Sequence, residues 1–124
     1  MKLDSRKVLV VDDDEKILFA LREVLKRDGY RSIIARNGEE ALEKLSAERP
    51  AIIFMDITMP KLDGLEALKR IREQNQSIPV IIITGYGTMQ TAIRAMQVGA
   101  FEYMTKPLDV EKIREITRRA FSSV

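Results

Sequence analysis

The sequence predicts an open α/β fold, with five parallel strands covered by helices on both faces. Short uncharged apolar runs alternate with amphipathic stretches, the pair recurs five times, and no linker or low-complexity segment interrupts it. Runs apolar throughout belong to strands buried on both faces, as parallel strands are. A closed barrel would need eight such units, so five favour an open, doubly wound sheet. At 124 residues, with 45% hydrophobic and 32% charged, one compact domain over residues 1–124 is expected.

The elements follow in order. Val8-Leu9-Val10-Val11 is β-rich and stops at three acids, Asp12-Asp13-Asp14. Ile17, Leu21, Val24 and Leu25 recur at helical spacing until Asp28-Gly29, a glycine stop. Ser32-Ile33-Ile34-Ala35 is the second strand, and Asn37-Gly38 turns the chain into a helix with Ala41, Leu42 and Leu45, closed by Pro50. Ala51 to Met55 forms the third run and ends at Asp56. A loop with Pro60 and Asp63-Gly64 leads to a helix carrying Leu65, Leu68 and Ile71. Pro79 opens Val80-Ile81-Ile82-Ile83, which stops at Thr84, and a helix is expected from about Thr88 to Val98. Gly99 ends it, Phe101 to Met104 is the fifth run, and Asp109 is placed to cap a last helix with Ile113, Ile116 and Ala120.

Composition narrows the chemistry. There is no Cys and no His, which removes disulfides, thiol nucleophiles, imidazole bases and zinc sites built on those residues. Twenty-one basic residues against nineteen acidic ones leave +2, too small an excess to suggest a nucleic-acid surface. No apolar run approaches the roughly 18–20 residues of a membrane span, and the start has no signal-peptide stretch. A cytoplasmic protein that binds neither nucleic acid nor membrane is expected.

In an open α/β sheet, ligands bind beyond the carboxyl ends of the strands. Four of the five strands deliver a polar residue there: Asp12, Asp13 and Asp14 after the first, Asp56 after the third, Thr84 after the fourth and Lys106 after the fifth. Taken singly each has an ordinary explanation, since an Asp before a helix is usually a cap and a lone Lys a solvated charge. Asp14 fits the cap. Together, the carboxylates would repel one another in a shared cleft, and a cation resolves the conflict. Mg²⁺ suits one or two direct carboxylates with retained waters, and Lys106 adds a charge able to pair with Asp56 or a phosphate. A carboxylate nucleophile at Asp56 beside Mg²⁺, Lys106 and the Thr84 hydroxyl is equipped to form an acyl phosphate.

Val10-Val11-Asp12-Asp13-Asp14, Asp56-Ile57-Thr58-Met59-Pro60, Asp63-Gly64, Thr84-Gly85 and Lys106-Pro107 resemble, in order and spacing, the receiver domain of two-component response regulators. The resemblance covers about residues 6–121. It implies a flavodoxin-like (βα)5 fold with strand order 2-1-3-4-5. It also implies that Asp56 is the phosphoacceptor, with Asp13 and Asp56 binding Mg²⁺ directly, Asp12 acting through a metal-bound water and the Thr58 carbonyl completing the set, Mn²⁺ being a substitute. Lys106 matches the phosphate-contacting lysine, Thr84 the switch hydroxyl and Tyr103 the switch aromatic. Gly85 matches the small residue beside the phosphoryl site, and Lys106-Pro107 is expected to be cis. Leu108 departs from the Phe common after Lys-Pro. Thr58 and Tyr86 match positions that tune dephosphorylation.

Thr84 to Thr88 and Gly99 to Tyr103 are similar to NtrC-type receivers, which precede an ATPase that activates sigma-54 RNA polymerase. No Gly-x-x-x-x-Gly-Lys-Ser/Thr loop is present, so this chain lacks that ATPase, and its end at Phe121-Ser122-Ser123-Val124 suits an excised receiver. The implied partners are a sensor histidine kinase or phosphohistidine protein, an effector domain in transcriptional control, and a second copy in a phosphorylation-dependent homodimer. A chain without histidine needs its phosphohistidine donor elsewhere. Met89, Ala92, Ile93 and Met96 form an apolar stripe, flanked by Ala95 and Val98, that is either a core face or a dimer or effector surface. The output face is expected on the fourth helix, fifth strand and fifth helix. Three rivals remain. A haloacid-dehalogenase-like phosphatase would need an Asp where Thr58 stands, and a flavodoxin-like carrier a Ser/Thr/Gly loop where the three acids stand. A phosphate-independent interaction module would not need the site residues at all.

Overall fold

The computed structural model describes residues 6–57, 64–85 and 89–123. Strands and helices alternate strictly: β1 (Lys7–Val11), α1 (Glu15–Arg27), β2 (Arg31–Ala35), α2 (Gly38–Glu48), β3 (Ile52–Asp56), α3 (Gly64–Gln74), β4 (Val80–Thr84), α4 (Met89–Val98), β5 (Glu102–Thr105) and α5 (Val110–Ser122). The sheet is parallel throughout, in the order β2-β1-β3-β4-β5. The expected flavodoxin-like (βα)5 architecture is therefore the one adopted.

Register explains why the apolar runs need no polar alternation. β3 and β4 are buried at every position, with Phe54 beside Ile81 and Asp56 beside Ile83. Alternate side chains feed two separate cores, because successive residues of a strand face opposite sides of the sheet. Leu9, Val11, Ile53, Met55, Val80 and Ile82 pack with Ala41 and Leu45 of α2, Ala67, Leu68 and Ile71 of α3 and Ala95 of α4. Val8, Val10, Ile52, Phe54, Ile81 and Ile83 pack with Leu18, Leu21, Val24 and Leu25 of α1 and Ile113, Ile116 and Ala120 of α5. Each fully buried Ile, Leu or Phe contributes about 1.5–3 kcal/mol of transfer free energy, so both layers are firmly held.

The helices start where capping residues allow. Asp14, Asn37 and Asp109 accept from the first-turn amides of α1, α2 and α5, contacts worth about 1 kcal/mol each. Glu40, whose amide donates to Asn37 Oδ1, in turn accepts from the Arg36 amide at 2.6 Å, one residue before the cap, a close variant of the capping box. At the far end of the layer formed by α1 and α5, Tyr30 stacks on Phe121 with ring centroids 4.7 Å apart, and Arg114 pairs with Asp28 at 3.0 Å. These contacts bind α1 and α5 to each other as well as to the sheet.

One sequence expectation needs correction, and one open choice is decided. On α1, Leu18 is buried and Ile17 only half-buried, because the helix turns its i, i+3 and i+7 positions (Leu18, Leu21, Leu25) to the sheet. On α4, the stripe left open between core and surface divides between the two. Ala92 and Ala95 are buried, whereas Met89 is 77% exposed, Ile93 48% and Met96 45%. Two alanines one turn apart let this helix lie close to its neighbours, which rotates the larger side chains outward.

Candidate functional site

The acids gather where the sheet order reverses, between β1 and β3, which flank each other while their helices lie on opposite faces. Asp12 follows β1, and its amide still donates to the Ala35 carbonyl at 3.1 Å, so its backbone is fixed by the neighbouring strand. Asp56 is the last residue of β3, and the next amide, of Ile57, donates to the Ile83 carbonyl at 2.9 Å. Thr84 closes β4, and its carbonyl accepts from the Lys106 amide at 2.9 Å. Lys106-Pro107 is a cis peptide. All four residues are thus carried on sheet-bonded backbone rather than on free loops.

One carboxylate oxygen from each of Asp12, Asp13 and Asp56 lies within 4.8 Å of the others. Asp12 is wholly buried and Asp56 is 4% exposed, while Asp13 opens to solvent. Lys106 Nζ spans the two buried acids, 3.3 Å from Asp56 Oδ2 and 3.4 Å from Asp12 Oδ2. Asp12 Oδ1 accepts from the Asp14 amide at 2.9 Å, but its buried Oδ2 has no hydrogen-bond partner among the described residues, and Lys106 Nζ at 3.4 Å is the cation facing it. A buried carboxylate oxygen without a hydrogen bond is costly, and a hard divalent cation is the ligand that such a donor set suits.

The electrostatics follow from burial. Desolvation pushes the Asp12 carboxyl up to about 6, with Asp56 adding to the rise; the Asp14 amide and Lys106 act against it. Burial also works against the Lys106 charge, yet Asp12 and Asp56 outweigh it and hold the ammonium above its ordinary value. Lys106 therefore remains a cation at neutral pH, between groups that need one.

Thr84 is buried beside this cluster's strand, and Gly85 lies along the lysine, where an added Cβ would meet Lys106 Cδ at 3.6 Å. Tyr103 is half-buried on β5 and lines a cavity of about 450 Å³ with Met89, Ala92, Ile93, Met96 and Gln97. Asp14 is the α1 cap expected of it. Thr58, Pro60, Asp63, Tyr86 and Thr88 lie outside the described residues.

Sequence reasoning missed what Gly64 does. It reads as a turn residue, but its amide donates to the Ile57 carbonyl at 2.9 Å, and a Cβ there would stand 2.3 Å from Ile57 Cα and 2.8 Å from the Asp56 carbonyl oxygen. The first turn of α3 is pressed against the strand end that carries Asp56. A glycine eight residues after an Asp signals a turn; only the fold shows which backbone it meets.

The family model described as the response regulator receiver domain matches residues 8–118. The chain belongs to that family. This receiver is 38% identical over 120 residues to the alkaline phosphatase synthesis transcriptional regulatory protein PhoP of Bacillus subtilis, covering 94% of this chain and 50% of PhoP. It is 36% identical over 115 residues to sporulation initiation phosphotransferase F of the same organism, covering 93% of each. Against the DNA-binding transcriptional regulator NtrC of Escherichia coli it is 39% identical over 115 residues, 93% of this chain and 24% of NtrC. The receiver thus spans half of PhoP and about a quarter of NtrC. Among solved structures, the receiver domain of NtrX from Brucella abortus superposes with a TM-score of 0.90 at 30% identity, covering 94% of this receiver and 99% of that chain. The likeness to NtrC-type receivers is borne out by these matches. Among the described residues, no helix of the receiver is long and apolar enough to cross a membrane.

Proposed function

We propose that this receiver is a phosphorylation-dependent switch that takes a phosphoryl group onto Asp56 from the phosphohistidine of a histidine kinase or phosphotransfer protein. The observation that carries this reading is the pair of buried acids, Asp12 and Asp56, bridged by Lys106 with Asp13 alongside. An Asp56 carboxylate oxygen attacks phosphorus, a P–O bond forms, the P–N bond to the donor imidazole breaks, and that imidazole leaves protonated. Asp12, Asp13 and Asp56 would hold Mg²⁺, or Mn²⁺ in its place, and the ion supplies charge against the phosphoryl oxygens. Lys106 neutralises a further oxygen, and the Thr84 hydroxyl donates to the phosphoryl group once it is present. The chain acts as a signalling domain whose own chemistry is phosphoacceptance and slow loss of the phosphoryl group.

Thr84 and Tyr103 carry the state outward. They sit on adjacent strands, β4 and β5, with Thr84 beside Thr105 in the ladder, and Tyr103 borders the exposed Met89, Ile93 and Met96 of α4. A face of that kind suits an effector domain or a second copy of the receiver. PhoP and NtrC are named as transcriptional regulators, which supports output in transcriptional control.

Intact mass after incubation with Mg²⁺ and acetyl phosphate tests the core of this reading. One added phosphoryl group is expected in the wild type and none in Asp56→Asn. An adduct that persists in Asp56→Asn, or none in rapidly sampled wild type, would overturn it.

A further inference from the structure

Arg72, in the last turn of α3, does not behave as a surface arginine. Its Nε and Nη2 both donate to the Gly99 carbonyl, at 2.9 and 2.7 Å, while Nη1 donates to the Asn75 carbonyl at 3.1 Å. The guanidinium is half-buried, and among the described residues no carboxylate pairs with it. Desolvation accordingly lowers its pKa from the ordinary arginine value with no acid to offset the shift. A five-donor fork spent on backbone carbonyls is a positional device, since a planar guanidinium fixes direction as well as distance.

The carbonyl it holds belongs to the residue that ends α4. Gly99 has φ +117, and its amide donates to the Ala95 and Met96 carbonyls, while the Ala100 amide also reaches Ala95. Phe101 then enters the sheet through the Val80 carbonyl at 2.8 Å. A Cβ on Gly99 would lie 2.8 Å from Arg72 Nε, so the glycine serves both the left-handed turn and the close approach of the fork. Ala95, on the same turn, is wholly buried. Toward the other end of α4, Met89 and Gln90 are exposed, and Ala92, at 9% exposure, packs inward.

We infer that Arg72 anchors the C-terminal end of α4 to α3, which makes Gly99 a fixed pivot and confines any signal-driven rearrangement of α4 to its N-terminal half. The signalling part rests on the phosphoacceptor reading above; the anchoring part does not. The face that changes is then the one bearing Met89 and Ile93, at the end of α4 reached directly from Thr84-Gly85. Arg72 is a positioning residue and touches no reacting atom.

Amide hydrogen exchange on the whole chain, read by NMR, tests both parts. In the untreated protein, Arg72→Ala is expected to raise exchange at Gly99 and Ala100 about tenfold. Arg72→Lys, which keeps the charge and stem but offers no fork, should raise it less, and carries the test if the alanine variant fails to fold. In wild type, Mg²⁺ with beryllofluoride, a stable stand-in for an aspartyl phosphate, should change exchange at Ile93 and Arg94 at least about fivefold and at Gly99 and Ala100 less than about twofold. Spread of that change to Gly99 and Ala100 in the Arg72 variants would support the pivot. Exchange at Gly99 and Ala100 within twofold of wild type in both untreated variants would overturn the anchor. Equal change at both ends of wild-type α4 would overturn the pivot. A chain unaffected by beryllofluoride and without an acetyl-phosphate adduct overturns the phosphoacceptor reading instead, and the untreated variants still decide the anchor.

Discussion

Asp12 is the residue at which structure and chemistry pull hardest against each other. Its folded pKa, about 6, lies above the ordinary carboxylate value of 3.8. A carboxyl raised in this way binds its proton more tightly when folded. Its contribution to stability is therefore fully present below pH 4 and is lost as the pH rises through about 6. Asp12→Asn keeps an oxygen for the Asp14 amide and removes the charge. Without Mg²⁺, it is expected to be more stable than wild type at pH 7.5 by on the order of 2–3 kcal/mol, with the margin closing toward pH 4. Urea melts at both pH values measure this, and a margin independent of pH would contradict it. The presence of Asp12, Asp56, Thr84 and Lys106 at the strand ends was legible in the sequence, because apolar runs that stop at polar residues mark the rim directly. The pairing of Lys106 with Asp56, now at 3.3 Å, was legible as well; its second contact, 3.4 Å to Asp12, was not, since it depends on how the strands are ordered in the sheet.

Elements were legible where a single periodicity governed them. β4 is apolar from Val80 to Ile83, and α5 repeats Ile113, Ile116 and Ala120 on one face; both form as the pattern requires. α4 was ambiguous for a physical reason. Its methionines and its alanines define two overlapping stripes, and the choice between them depends on how closely the helix can approach the sheet, which periodicity does not encode. α3 shows the same limit at its start. Gly64→Ala would drive a methyl into the Ile57 and Asp56 backbone, at a cost of about 3 kcal/mol or more. The expected outcome is a destabilised protein with slower phosphoryl uptake, measured by urea melts and by adduct mass against time. An alanine variant as stable as wild type would show that α3 can retreat without cost.

At the scale of the whole molecule, folding assembles the acidic cluster, so a cation that binds it must stabilise the fold. Asp12, Asp13 and Asp56 come from two strands that meet only in the native sheet. At a free Mg²⁺ concentration 100 times its dissociation constant the gain is about 2.7 kcal/mol, a rise in Tm on the order of 10 °C for a domain of this size. Asp13→Asn changes an exposed side chain and should leave the metal-free Tm within a degree or two while reducing the Mg²⁺ response. Calorimetry with and without Mg²⁺ checks both, and an undiminished response in Asp13→Asn would remove Asp13 from the cation site.

The two-layered core has one more consequence. α4 packs in the layer of α2 and α3, whereas α5 packs with α1 on the opposite side of the sheet. A partner that grips α4 and α5 together therefore straddles the seam between two independently packed slabs. With α5 locked to α1 through Arg114–Asp28 and Phe121–Tyr30, such a partner holds a stationary reference in one hand. With the other it gauges the position of the N-terminal half of α4. What it measures is the offset of one helix against the other across the sheet edge.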